Sequence, residues 1–326
     1  MLPPGWPWAG GLLAVLTATP FLVHDSFVLH ALLITCLWAG LASAWNILAG
    51  FAGQLSFGHA AFLGVGAYTM GILDTTLGVS PWLGMVAGGV VAAALAVAIG
   101  VPSFRLRGPY FALATLALAE VVRIVAVYWD GLTGGSSGLL MPIETGLAAV
   151  SWAGKGPFLW LTTGYLGVVW LAAAGLRRSR LGYFLAAVRE DQEAAAVAGV
   201  DPTWAKMQAA MLSAFFTGVG GAILACYLTL VEPDSFLGVQ VSTQFLVITI
   251  VGGLGTLSGP VIGAFVATPL AEFLRSVIGS EIAGSLHQLI YGISFILVMI
   301  FLPRGIAPHL LRGRGLVLLS SKKVVP

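Results

Sequence analysis

Gln54, Ser56 and His59 lie within six residues of one another, inside the otherwise apolar stretch GFAGQLSFGHAAFLGVGAYTM at 50–70. An amide, a hydroxyl and an imidazole at that spacing can exchange hydrogen bonds with a small polar solute. Tyr68 and Thr249 add two hydroxyls in similar apolar surroundings. None of these has the neighbours that covalent or acid–base catalysis needs. The chain contains no H-E-x-x-H or G-x-S-x-G, and its five histidines, His24, His30, His59, His287 and His309, are scattered. Cys36 and Cys226 each fall in an apolar run and read as buried thiols. An ATP-binding loop requires G-x-x-x-x-G-K-[ST]. The sole Gly-Lys, Gly154-Lys155, lacks both the upstream Gly and the following Ser or Thr. No catalytic residue, no metal and no cofactor is expected on this chain.

The elements that carry these groups must lie in lipid. Of the 326 residues 58% are hydrophobic and 9% are charged, with a mean hydropathy of +0.97. Soluble domains carry about a quarter charged residues. Roughly 20 apolar residues cross a bilayer as a helix, and such runs follow one another here. A β-barrel would show short alternating segments instead. The expected fold is an all-α polytopic bundle of about ten membrane helices. They are placed near 9–23, 27–48, 57–74, 82–100, 109–128, 158–176, 207–230, 241–257, 259–277 and 284–302. No basic residue precedes the first run, so Gly10–Val23 reads as a retained helix and not as a cleaved leader.

Charge partition orients the bundle. Arg105, Arg107, Arg177, Arg178, Arg180, Arg189, Lys206, Arg304, Arg312, Arg314, Lys322 and Lys323 account for 12 of the 15 basic residues. They occupy alternate connections, and the intervening loops carry Asp25, Asp74, Asp130, Glu144, Glu232, Asp234 and Glu281. Basic loops stay cytoplasmic, which places both termini inside.

Gly50, Gly53 and Gly58 argue against an unbroken helix through 50–58. In hydrocarbon, irregular backbone survives only inside protein or beside a water-filled cavity. A second segment repeats the pattern G-x-x-G-x-L-S: GFAGQLS at 50–56 and GGLGTLS at 252–258, the latter carrying Gly252 and Gly255 and followed by Pro260. Paired glycine-broken spans point to a transport pathway, although four matched positions in a Gly-rich chain also arise by chance. LAEVVR at 118–123 and LAEFLR at 270–275 each place Glu and Arg at i and i+3, as Glu120–Arg123 and Glu272–Arg275. Two readings stand: a structural ion pair that orders the bundle, or one or both Arg facing the translocation path or the outer docking surface.

The longest inner connection, 177–207, reads RRSRLGYFLAAVREDQEAAAVAGVDPTWAKM. Glu190, Asp191, Glu193 and the alanines predict a helix too charged to span. Gly199 predicts its C-cap, and Asp201-Pro202 an N-cap for the next span. The helix is either a solvated linker or, through its smooth Ala194–Ala198 face, a docking element.

Glu193-Ala194-Ala195 followed by Gly199 is similar to the E-A-A-x-x-x-G coupling motif of ABC-importer permeases. GQLSFGHAAFLGVGAY, GPYFALATLALAEVVR, LTGGSSGL, RSRLGYFLAAVREDQEAAAVAGV, TIVGGLGTLSGPVIGA and FLPRG, in order from about 40 to 305, resemble LivM-like permease subunits of branched-chain amino-acid ABC importers. The resemblance implies a type II importer-like bundle and one transmembrane domain over 1–326, with a coupling segment at 177–206 and a basic tail at 303–326. Arg189, Glu190, Glu193, Ala194, Ala195, Gly199 and Asp201 would serve ATPase coupling. The implied partners are a LivH-like second permease, two ATP-binding subunits that hold ATP and Mg, and a periplasmic binding protein, all at a bacterial inner membrane; nucleic acid is not among them. The implied cargo is a branched-chain amino acid, with urea or short amides carried by similar proteins. A gradient-driven carrier competes with this reading, but both candidate carboxylates have a neighbouring Arg. A membrane enzyme competes too, but no catalytic cluster is present.

Overall fold

The structure, a computed structural model, describes residues 6–278 except 24, 107, 143–145, 147–149, 151 and 153, together with 292–293 and 305–307. For 6–9 and 274–278 it describes the backbone alone. The helices are α1 (Trp6–Leu22), α2 (Ser26–Asn46), α3 (His59–Leu77), α4 (Pro81–Ser103), α5 (Pro109–Tyr128), α6 (Asp130–Thr133), α7 (Lys155–Arg178), α8 (Arg180–Glu190), α9 (Gln192–Val197), α10 (Pro202–Leu228), α11 (Pro233–Leu237), α12 (Val239–Gly252) and α13 (Gly259–Ile278). β1 (Leu139–Leu140) pairs antiparallel with β2 (Leu230–Val231).

Local sequence sets most helix ends. Asp25 accepts from Phe27 N and Val28 N at the start of α2. Pro81, Pro109 and Pro202 open their helices, where a missing N–H costs nothing. Seven helices among the described residues are long and apolar enough to cross a membrane. Two further apolar helices, Gly10–Leu22 and Gly259–Phe273, are shorter. The tenth candidate span, 284–302, lies outside the described residues, as does nearly all of the 303–326 tail.

α2 is the central helix, buried from Leu33 to Asn46 and packed on α7, α13, α10 and α12. α10 runs along α3 and α4. Without a hydrophobic drive between helices in lipid, close approach of small residues holds them together. At Gly66, Gly88 and Gly218 three helices meet backbone to backbone: a Cβ on Gly88 would lie 2.5 Å from Gly66 O, and one on Gly218 would lie 2.9 Å from Gly88 O. α5 differs: 22% of its apolar window is buried, against 78% for α10. Its open face is left to lipid or to another chain.

The inner connection departs from the expected single helix. α8 stops at Glu190, and Asp191 takes an extended backbone (φ −153°). Its carboxylate accepts from Glu193 N at 2.9 Å and Ala194 N at 3.0 Å. A short acidic side chain competes for these N–H groups and starts a new helix. The same two bonds hold the Asp191 carboxyl below the usual range.

Candidate pathway and coupling site

The glycine-broken stretch begins where α2 widens into a single π-turn, Ile47–Phe51, a feature common at functional sites. The chain is irregular to Gly58, and α3 starts at His59. The freed backbone groups find partners. Trp45 Nε1 donates to Ser56 O at 2.9 Å, Gln54 N to Leu48 O at 3.2 Å, Phe57 N to Thr115 Oγ1 at 3.2 Å, and Ser242 Oγ to Phe57 O at 2.6 Å. This satisfaction lets irregular backbone persist at membrane depth.

His59 is fully buried. Ser213 Oγ donates to Ala44 O at 2.7 Å and so accepts from His59 Nε2 at 2.8 Å. That assigns the proton to Nε2 and leaves Nδ1 to accept from Ser56 Oγ at 3.1 Å. Trp45, Phe62 and Phe245 surround the ring. Both nitrogens of His59 are therefore committed within the protein.

The second broken stretch lies against the first. α12 ends at Gly252, and Gly253 and Gly255 take φ of 124° and 76° before α13 begins. Thr256 Oγ1 braces this loop, donating to Gly253 O at 2.7 Å and accepting from Gly259 N at 3.0 Å. Asn46 spans the two stretches: Nδ2 donates to Thr256 O at 2.9 Å and Oδ1 accepts from Gly255 N at 2.9 Å. A Cβ on Gly50 would sit 2.7 Å from Gly255 N. Arg189, from the last turn of α8, donates through Nη1 to Gly50 O at 2.6 Å. Gly305, from FLPRG, packs on Gly253: a Cβ there would lie 2.5 Å from Gly253 N.

The other candidates are dispersed. Gln54 is half-buried, and its amide reaches Gly53 O only at 3.5 Å; Gly53 is exposed. Buried Thr249 donates to Phe245 O at 2.8 Å and lies 3.4 Å from Ala42 O. Tyr68 lies midway along α3, donating to Val231 O at 3.0 Å. Gly58 packs on Thr115. On the inner connection Ala195 is buried while Glu190, Glu193, Ala194, Gly199 and Asp201 are exposed. Asp201 caps α10 through Thr203 N and Trp204 N.

The profile of the family described as branched-chain amino acid transport system, permease component, matches residues 27–299. The chain belongs to this family. Two curated relatives are 30% identical over 91% of the chain and 73% of their own length: the high-affinity branched-chain amino acid transport system permease proteins LivM of Escherichia coli strain K12 and of Salmonella typhimurium strain LT2. A probable branched-chain amino acid transport permease protein LivM of Methanocaldococcus jannaschii is 23% identical over 84% of the chain and 92% of its own length. No solved structure gives a significant match. The chain is thus a multi-pass membrane permease, the membrane component of a transport system.

Sequence reasoning missed Asn46 in this permease. Its one available signal was a lone amide at the end of an apolar span. Arg189, assigned from the sequence to the coupling segment, is exposed as a residue but turns its guanidinium in to Gly50 O.

At the far end, Arg123 forks onto Glu120, with Nε 3.0 Å from Oε1 and Nη2 2.6 Å from Oε1, and its Nη1 reaches Asp234 Oδ1 at 2.8 Å. The side chain of Arg275 lies outside the described residues. Glu272 Oε2 lies 3.7 Å from His30 Nε2, and His30 Nδ1 lies 2.5 Å from Tyr227 OH. With Arg123 and Glu120 28% and 38% exposed, breaking their pair costs about 1 kcal/mol, well short of the roughly 3–5 kcal/mol of a fully buried pair. Arg123 serves two carboxylates, so Arg123→Ala should lower the detergent melting temperature more than Glu120→Ala, which keeps the Asp234 contact. Equal losses would remove Asp234 from the cluster.

Proposed function

We propose that this chain is a permease subunit of an ATP-driven importer of branched-chain amino acids in the bacterial inner membrane. The observation that carries the reading is the 30% identity, across 91% of the chain, to permeases whose names state that transport. ATP and Mg would be held by two partner ATP-binding subunits, because no P-loop occurs in the sequence. A LivH-like permease and a periplasmic binding protein complete the complex. α5 offers the least-covered face for the second permease.

Grip by the ATP-binding subunits is proposed at α9 and its flanks. Val197 is 91% exposed, and Tyr183 and Phe184 on α8 and Trp204 on α10 are exposed too. Apolar groups on an otherwise charged connection suit a partner groove. The basic loops put this end in the cytoplasm, with both termini. Cysteines introduced at Ser179 and Ser137 check the orientation: in intact cells an impermeant maleimide should label position 137 and spare position 179, and the reverse would invert the topology.

The function itself is tested by reconstituting the permease pair, ATP-binding subunits and cognate binding protein in liposomes. Leucine, isoleucine and valine should bind the cognate binding protein and enter with ATP hydrolysis. Binding and uptake of urea or acetamide in their place would reassign the cargo while keeping the architecture. Uptake driven by an ion gradient without ATP would overturn the reading.

A further inference from the structure

We propose that Arg189 is a positioning residue for transport: it joins the cytoplasmic helices to both glycine loops, so that movement of α8 and α9 shifts the two loops together. This rests on the reading that ATP-binding subunits grip the α8–α9 connection.

The seat of Arg189 is built from glycines of both broken stretches. Its Nη1 donates to Gly50 O at 2.6 Å, at the π-turn. Its stem crosses Gly53, where a Cβ would lie 3.1 Å from Cγ. Its guanidinium fills the space that a Cβ on Gly255 would need. Gly53 and Gly255 have φ of 71° and 76°, a region that side-chain-bearing residues avoid. Absence of side chains at these positions thus serves two ends: the turns themselves and room for one arginine. Asn46 then ties the loops to each other through Gly255 N and Thr256 O. The three segments form one hydrogen-bonded unit, drawn from residues 139 and 209 positions apart.

The unit is coupled to the connection from both sides. Arg177, at the end of α7, places Cζ 5.8 Å from the ring centroid of Phe51 in the same π-turn. Across the Asp191 break, Lys206 Nζ donates to Gln192 Oε1 at 2.7 Å and fastens α9 to α10. A push on α9 therefore reaches the loops through α8 and Arg189. An arginine serves here because its rigid fork carries charge on a donor plane, and a charge-assisted bond to a carbonyl is stronger than a neutral one. A purely structural Arg189 would affect folding alone; a positioning Arg189 affects how much transport each ATP achieves.

The test uses the whole reconstituted transporter and reads three quantities: ATP-binding subunit retained per permease, ATP hydrolysis stimulated by leucine-loaded binding protein, and leucine uptake per ATP. Arg189→Ala should retain the ATP-binding subunits and lose about tenfold in uptake per ATP, the scale of one charge-assisted hydrogen bond. Arg189→Lys, which keeps one donor on a similar stem, should recover part of that loss. Asn46→Ala should lower the same ratio, and the double variant should be no worse than the poorer single, because the two residues act through one unit. An unchanged ratio in Arg189→Ala, or a loss confined to yield with Arg189→Lys indistinguishable from Arg189→Ala, overturns the proposal. Additive losses overturn the shared unit. Failure of the wild-type chain to retain ATP-binding subunits overturns the reading beneath it, an outcome separable because it needs no variant.

Discussion

Gly66→Leu is expected to leave almost no monodisperse protein after detergent extraction, while Gly164→Leu yields the wild-type amount. Both glycines lie inside membrane helices, and both changes add the same side chain. They differ in what the side chain meets. A Cβ on Gly66 would overlap the Gly218 backbone, and Gly88 already presses on Gly66 O from the other side. Around Gly164 there is nothing within 4 Å. Overpacking typically costs about 1–3 kcal/mol when flexible side chains can yield. At Gly66 the neighbour is the main chain of α10, which cannot swing aside as a side chain can, so α3 must part from α10, and the loss exceeds that range. Fluorescence-detected size exclusion and a melting curve measure it. Comparable yields for the two variants would mean that the three-helix approach is not what holds the bundle.

Gly199→Val is expected to uncouple the transporter without removing it from the membrane. α9 ends in a Schellman cap: Val200 N donates to Ala195 O at 3.0 Å and Gly199 N to Ala196 O at 3.0 Å. Gly199 has φ of 87°, and a Cβ there would meet nothing within 4 Å. Strain is thus the whole effect of a substitution, about 1–2 kcal/mol for an L-residue in this region and more for a β-branched one. The cap should open and α9 should lose its angle to α10. Glu193→Arg reverses a charge on the exposed face of α9 without touching the cap. Under the proposed docking, both variants should insert at normal levels. Both should lose most ATPase stimulation by loaded binding protein, and uptake with it. Gly199→Ala should fall between. Wild-type stimulation and uptake in Gly199→Val and Glu193→Arg would move the grip elsewhere, to the loop near Arg105 or the basic tail.

Several features were legible before any coordinates, and for local reasons. Apolar runs of span length have to close their backbone hydrogen bonds within themselves, so helices follow from composition. Asp201-Pro202 and Gly199 act within a few residues of where they stand, and they cap and turn the chain where the sequence places those functions. The glycine pairs announced two breaks, and two breaks are present. The Asp191 break differs from the expected helix although its cause is local: the helix-forming alanines around it are outweighed by one carboxylate that captures two N–H groups.

What the sequence by itself determined was the class of molecule, a succession of apolar helices of membrane length, and the places where helices fail. Each of these depends on residues within one or two turns of one another. Tertiary structure alone decided what the broken ends touch. Asn46 meets Gly255 across 209 positions, Arg189 meets Gly50 across 139, His59 meets Ser213 across 154 and Arg123 meets Asp234 across 111. No spacing rule spans such separations, because they depend on which helix faces lie together, and in this chain glycines fix those faces by letting backbones touch. A sequence shows that a glycine removes a side chain; only the folded bundle shows which neighbour enters the space.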